Sequence, residues 1–198
     1  MYLKDESDRI IVNLVTGNPH KVKEASISLR EFNIEVRMLK VRKVEIQSDN
    51  LANIASFAAL EAAKEVGMPV VVEDAGLFIE ALNGFPGPYS SYVYKTIGVQ
   101  GILKLLDGIN QRNAYFLSVV AYATPQGRCF TFEGRVYGVI SKEPRGSGGF
   151  GFDPIFIPNE GDGRTFAEMT TEEKCALSHR GKAFRKFGAW LVRRGVTR

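Results

Sequence analysis

The chain has 198 residues, 44% hydrophobic and 24% charged, long enough to bury a sizeable core and ordinary for a soluble globular protein. No apolar run is long enough to span a bilayer, and MYLKDESDR at the start carries acids with no small-residue cleavage site after it, so we expect a cytoplasmic protein forming one domain over residues 1–198. The formal charge of +4 is local: residues 174–198 hold eight basic and no acidic residues, against 18 basic and 22 acidic elsewhere, which describes either a solvated helix face or an anion site.

In chain order, IIVNLVT (10–16) reads as a strand, and Asn18 and Pro19 then open a helix marked by Val22, Ala25 and Leu29. IEVRMLKV (34–41) alternates as a second strand. From Ser48 to Val66 apolar residues recur at helical spacing, with Gly67 and Pro69 as the stop. VVVEDAG (70–76) is a third strand ending at two acids, with LFIEAL extending it or forming an edge, and NGFPGP is turn chemistry. Tyr89 to Leu106 predicts one helix. Ala114–Ala123 and Arg128–Ile140 predict an antiparallel hairpin across TPQG. A glycine-rich loop, EPRGSGGFG, leads to a short strand at PIFIP, and Thr170 to Glu173 form a capping box opening a helical C-terminus. Strands alternating with helices, then a hairpin, define an α/β fold with a mixed sheet. Cys129 and Cys175 are far apart and lack histidines at metal-ligand spacing, which gives no support to a zinc site or a disulfide framework and reads as two buried or incidental thiols.

Four stretches carry candidate chemistry. Thr16-Gly17-Asn18-Pro19-His20-Lys21 joins a strand to a helix N-terminus, where backbone N–H groups beside a lysine suit phosphate; an ordinary strand–helix turn explains the same residues. It lacks P-loop spacing. Glu73 and Asp74 at a strand end, on a turn eased by Gly76, are either solvent-facing loop acids or cation ligands, with Mg²⁺ a suitable partner. The run Gly146 to Gly151 matches G-x-G-x-x-G, but Phe152-Asp153-Pro154 follows where a dinucleotide fold needs a helix, so that reading is rejected; Phe150 and Phe152 remain as rings for stacking on a base or packing in a core. KCALSHR (174–180) sets an ammonium, a hydroxyl, an imidazole and a guanidinium within two helical turns, and His179 is read there as an anion or base contact.

These stretches, in this order, resemble the inosine triphosphatase family, the Ham1-like XTP/dITP diphosphatases, through TGNPHKVKEA, VEDAGLFIEALNGFPGPYS, GGFGFDPIFIP and FAEMTTEEKCALSHRGKAF, nearly the whole chain. The resemblance implies an elongated mixed sheet flanked by helices, two lobes with the active-site cleft between them, and a homodimer. It implies Mg²⁺-dependent cleavage of XTP, ITP and dITP to the monophosphate and pyrophosphate, cleansing the nucleotide pool, with a nucleotide as the binding partner and neither nucleic acid nor membrane. It further implies Asp74 as catalytic acid and metal ligand and Glu45 as a second metal ligand. Phosphate contacts fall on Thr16 to Lys21 and on Lys174. Phe150 is implied as the stacking ring, with Gly151, Phe152 and Asp153 beside it, and His179 and Arg180 as contacts to the base edge. Ala75 stands where many members have Ser or Thr, so only its backbone N–H remains for substrate. Glu73 is left outside the catalytic set. A Maf-type pyrophosphatase is the nearest competing enzyme, and the SHR and FGFD motifs argue against it. A nucleic-acid-binding C-terminus is the competing reading from another class, opposed by Phe184, Phe187, Leu191 and Val192, which read as a core-facing stripe.

Overall fold

The computed structural model describes residues 9–41, 44 and 46–194. Its seven strands are β1 (Ile10–Val15), β2 (Ile34–Leu39), β3 (Val70–Ile79), β4 (Pro86–Gly87), β5 (Asn113–Ala123), β6 (Cys129–Ile140) and β7 (Phe156–Pro158). They form one mixed sheet in the order β2-β1-β3-β5-β6-β7, with β4 on β3 off this path. β1 runs parallel to β2 and β3, and every other pairing is antiparallel.

The helices are α1 (Pro19–Leu29), α2 (Leu51–Val66), α3 (Ser90–Thr96), α4 (Gly98–Leu105), α5 (Thr171–Leu177) and α6 (His179–Arg193). The expected signals set most of their ends. Asn18 accepts from the His20 N–H and Pro19 occupies the first turn of α1; α2 closes on left-handed Gly67 as expected but starts after Asn50, which accepts from the Ala52 and Asn53 N–H groups, rather than at Ser48; and the Thr170–Glu173 capping box opens α5. Among the described residues, no helix is long and apolar enough to cross a membrane.

Three expectations change. The helix expected over Tyr89 to Leu106 is two helices, because Gly98 takes a φ of 63° at the joint. The KCALSHR run is also split: Ser178 is extended, leaves α5 and caps α6 by accepting from the Gly181 N–H. Of the two readings of LFIEAL the extension holds, β3 running on to Ile79, so Glu73 and Asp74 sit in mid-strand rather than at a strand end or on a turn. The reason is β5, which pairs along all of β3 from Val70↔Ala123 to Ile79↔Ala114. Gly76 serves close approach instead, since a Cβ there would run into the Gly87 carbonyl of β4.

Side-chain alternation along β3 divides the core. Val70 and Val72 join a cluster with the alanine stripe of α2, while Val71 joins Ala25 and Leu29 of α1 and Phe184 and Phe187 of α6. Farther along, Leu77 and Ile79 belong to a third cluster with Phe116, Val136, Phe156, Val93 of α3 and Ile102 of α4. The long strands therefore carry different cores at their two ends. Residues 73–76 lie between them, past the end of β1 and short of the β4 pairing at Leu77↔Gly87.

Candidate active site

Two adjoining cavities open at this break. One, of about 530 Å³, is lined by Asp74, Ala75, Phe116, Phe150, Phe152 and His179, together with Gly151, Asp153 and Arg180. The other, of about 470 Å³, is lined by Thr16, Gly17, Pro19 and Glu73. Asn18, Lys21, Ser91 and Lys95 line both. The cleft thus has an aromatic half and a half built from the β1–α1 loop, joined at four polar residues.

Between the cleft and the core lies a buried ion network. Glu24 Oε1 accepts from Lys174 Nζ at 2.7 Å, and Oε2 accepts from Arg180 Nη1 at 2.7 Å. Arg180 Nε donates to Glu73 Oε1 at 3.0 Å, where the Ser118 hydroxyl also donates at 2.6 Å, and Lys21 Nζ lies 2.9 Å from Glu73 Oε2. Lys174 also bonds Asp153 Oδ2, which accepts in turn from the Phe150 N–H at 2.8 Å. Gly149, at a φ of 68°, lets that loop fold over Asp153, whose carboxylate would meet any Cβ there.

The titration behaviour follows from these partners. Burial pushes the Glu24 and Glu73 carboxyls up, but Arg180 together with Lys174 or Lys21 outweighs it and holds both below the usual glutamate range. Burial wins at Asp153, whose pKa is raised despite Lys174. At His179 burial, then the charges of Arg180 and Lys174, hold the imidazole well below its usual pKa, so the ring is neutral. That ring stacks on Phe116, centroids 4.5 Å apart and planes 9° from parallel, and its buried Nδ1 has no hydrogen-bond partner among the described residues. Phe150 packs over Lys174 Nζ at 4.8 Å and the Arg180 guanidinium at 5.1 Å.

Most of the expected site residues meet here, from Thr16 to Pro19 and Lys21, Asp74 and Ala75, Phe150 to Asp153, and His179 to Arg180. His20 lines neither cavity and instead packs against the Phe150 ring, 5.3 Å between centroids. Lys174 also lines neither; it is 2% exposed and held by Glu24 and Asp153. Glu45 lies outside the described residues, among which no three His, Cys, Asp or Glu side chains converge as a metal site. Adjacent strand positions send Glu73 and Asp74 to opposite faces: Glu73 is 2% exposed within the ion network, while Asp74 is half-buried at the cavity wall.

Sequence reasoning passed over Glu24 and set Glu73 aside. Glu24 left a signal, because on α1 it stands on the same face as Ala25, Ser28 and Leu29, all buried, and an acid inside an apolar stripe needs a cation. The α3 residues Ser91 and Lys95 left none. In the C-terminal segment Phe184, Phe187 and Leu191 are core as expected, but Val192 is 48% exposed, because α6 turns it away from the sheet. The basic residues there are largely engaged within the chain: Lys182 pairs with Glu160, Lys186 donates to the Glu133 carbonyl, and Arg185 donates to the carbonyls of Cys175 and Ala176.

The sheet and its cleft define an α/β protein whose candidate site joins an aromatic wall to a helix-capping loop. A Ham1 family model matches residues 12–190, and the chain belongs to that family. It is 55% identical over 179 residues to a dITP/XTP pyrophosphatase of Methanopyrus kandleri, covering 90% of this chain and 95% of that one. To a dITP/XTP pyrophosphatase of Thermococcus kodakarensis it is 58% identical over 177 residues, covering 89% and 95%. Among solved structures, a HAM1 protein from Coxiella burnetii superposes with a TM-score of 0.81 at 32% identity, covering 93% of this chain and 99% of that one.

Proposed function

We propose that this protein hydrolyses non-canonical purine nucleoside triphosphates, XTP, ITP and dITP, to the monophosphate and pyrophosphate, the whole chain working as one nucleotide-pool-cleansing domain. The relatives bearing the name dITP/XTP pyrophosphatase support the substrate class. The observation that carries the reading is the pairing of the two cavities: an aromatic one lined by His179, whose buried Nδ1 has no hydrogen-bond partner among the described residues, and one lined by the loop that caps α1. In it a purine stacks on Phe150 with its edge toward His179 and Arg180, and the triphosphate runs toward Thr16 to Lys21. Base–aromatic stacking and backbone N–H groups at a helix start are the matching chemistries.

Asp74 is the group that holds or deprotonates the attacking water at the α phosphorus, and pyrophosphate leaves in line. Asp74 stands at the wall of the aromatic cavity, where a carboxylate suits a hard cation, while Glu24, Glu73 and Asp153 are held by Lys or Arg. One or two carboxylates completed by phosphate oxygens is a donor set that fits Mg²⁺. When bound, Mg²⁺ supplies charge neutralisation on the triphosphate and a lowered pKa for water. Glu45 is the second carboxylate in this reading. Lys174 and the Glu24 pair act behind the site, keeping Arg180 and the Phe150 loop in place.

The reading includes a cytoplasmic homodimer that binds no nucleic acid. Two unbridged cysteines suit a reducing compartment, the exposed Tyr92, Ile97 and Leu105 suit self-association, and the internally engaged basic residues of α6 leave little charge for a polyanion. The test is turnover: purified protein with Mg²⁺ should release pyrophosphate from XTP or ITP and leave ATP nearly untouched, and EDTA should abolish release. Orthophosphate as first product would sink the proposal.

A further inference from the structure

The cations that sequence reading assigned to the triphosphate, Lys21 and Lys174, and the one it assigned to the base edge, Arg180, are already matched. Lys21 pairs with Glu73, Lys174 with Glu24 and Asp153, and Arg180 with Glu24 and Glu73, so two buried cations and the half-buried Lys21 face three buried carboxylates. A polyanion entering this cleft meets little net positive charge from them. Lys95 differs. It lines both cavities from α3, is exposed, and has no ion pair among the described residues. Ser91, one helical turn earlier, lines both cavities too.

We propose that Lys95, with the Ser91 hydroxyl beside it, is the clamp for the triphosphate at the junction of the two cavities. It acts opposite Asn18 and Lys21, which line that junction from the α1 side. The inference rests on the proposed reaction and adds a residue to it. Lys95 also links the two halves of the fold: Val93 of α3 packs in the cluster at the far end of β3, whereas Ala25 and Leu29 of α1 pack in a cluster at its near end. A ligand held by both Lys95 and Lys21 bridges the cleft. An exposed lysine on a flexible stem orders only when the phosphate arrives, so its contribution is to binding and to alignment of the chain for in-line attack.

The test uses inorganic tripolyphosphate, measured by calorimetry with EDTA present, alongside XTP turnover with Mg²⁺. Lys95→Gln should weaken tripolyphosphate binding by about tenfold, the usual scale for one charge-assisted contact, and raise KM for XTP by a similar factor. Lys95→Arg should restore most of both. Lys104→Gln on α4, which removes the same charge away from both cavities, should change neither. Equal tripolyphosphate affinity for Lys95→Gln and wild type would overturn the proposal, as would an equal loss in Lys104→Gln. Wild-type protein that binds tripolyphosphate through Lys95 but releases no pyrophosphate from XTP would instead overturn the proposed reaction and leave the clamp standing.

Discussion

Inside the protein, Arg180 Nε donates to Glu73 Oε1 across 3.0 Å, joining two residues 107 positions apart with neither side chain more than 3% exposed. Glu24 takes a second donor of the same guanidinium at 2.7 Å. The fork that sequence reading aimed at the purine is thus mostly committed to carboxylates, and it is held rigidly at the cavity wall by them.

Arg180→Ala would leave both carboxylates buried without their main cation. It should destabilise the protein by about 3–5 kcal/mol, seen as a lowered denaturation midpoint, and Arg180→Lys, which keeps the charge, should lose less. In whatever fraction remains folded, kcat/KM for XTP and ITP should fall more than for ATP, because a guanidinium is all donor and favours a 6-keto oxygen over a 6-amino group. Equal fold-losses for the three nucleotides would assign Arg180 to phosphate instead.

Asp74→Asn keeps the shape of the side chain and removes its charge at a half-buried position of the cavity wall. Turnover of XTP should drop on the order of 10²-fold or more if Asp74 is the base, with the melting temperature little changed. Near-normal kcat in a folded variant would move the role to another carboxylate, Glu45 first.

Stability should fall with acid in two stages. His179 is held well below its usual pKa when folded, so the unfolded chain takes up its proton first; this contribution is fully present above about pH 6.5 and is lost as pH falls below it. Glu24 and Glu73, both lowered, contribute stability that is present above the ordinary glutamate range and is lost as pH falls toward their folded pKa values. Asp153, raised, has the opposite sign: its penalty on the folded state disappears once it is protonated. Thermal melts across pH 3–8 should therefore slope downward below about pH 6.5, and His179→Phe should remove the upper stage only. An unchanged upper slope in that variant would show that His179 is charged when folded.

Gly134→Ala tests how closely α6 sits on the sheet. A Cβ at Gly134 would run into the His179 carbonyl and meet the Ala183 amide nitrogen at 2.5 Å, so the start of α6 must retreat. Overpacking of this kind costs about 1–3 kcal/mol, and because His179 moves with the helix, KM for XTP should rise as well. A urea midpoint equal to wild type would show that the contact relaxes freely.

Local chemistry by itself determined where several elements start and what could be exposed in the cleft. Asn18-Pro19, Thr170 and Gly67 act on their own backbone within four residues, so the starts of α1 and α5 and the end of α2 were legible without any fold. The strand-break-helix order of TGNPHK and the proline after Asp153 were equally local, and with them the position of the helix-capping loop and the absence of a dinucleotide turn. What the tertiary structure decided was the fate of charge. Whether an acid on an alternating strand is a ligand or a buried counter-ion depends on what stands across from it, and Glu73 found Arg180 and Lys21, while Glu24 found Lys174 and Arg180, from segments up to 156 residues away. The extension of β3 through Asp74 depended in the same way on β5, since hydrogen bonds from a distant strand outweigh a local turn signal at Gly76. Lys95 looked like any helix-surface lysine, and only the packing of α3 against the far core brings it over the gap between β1 and β4.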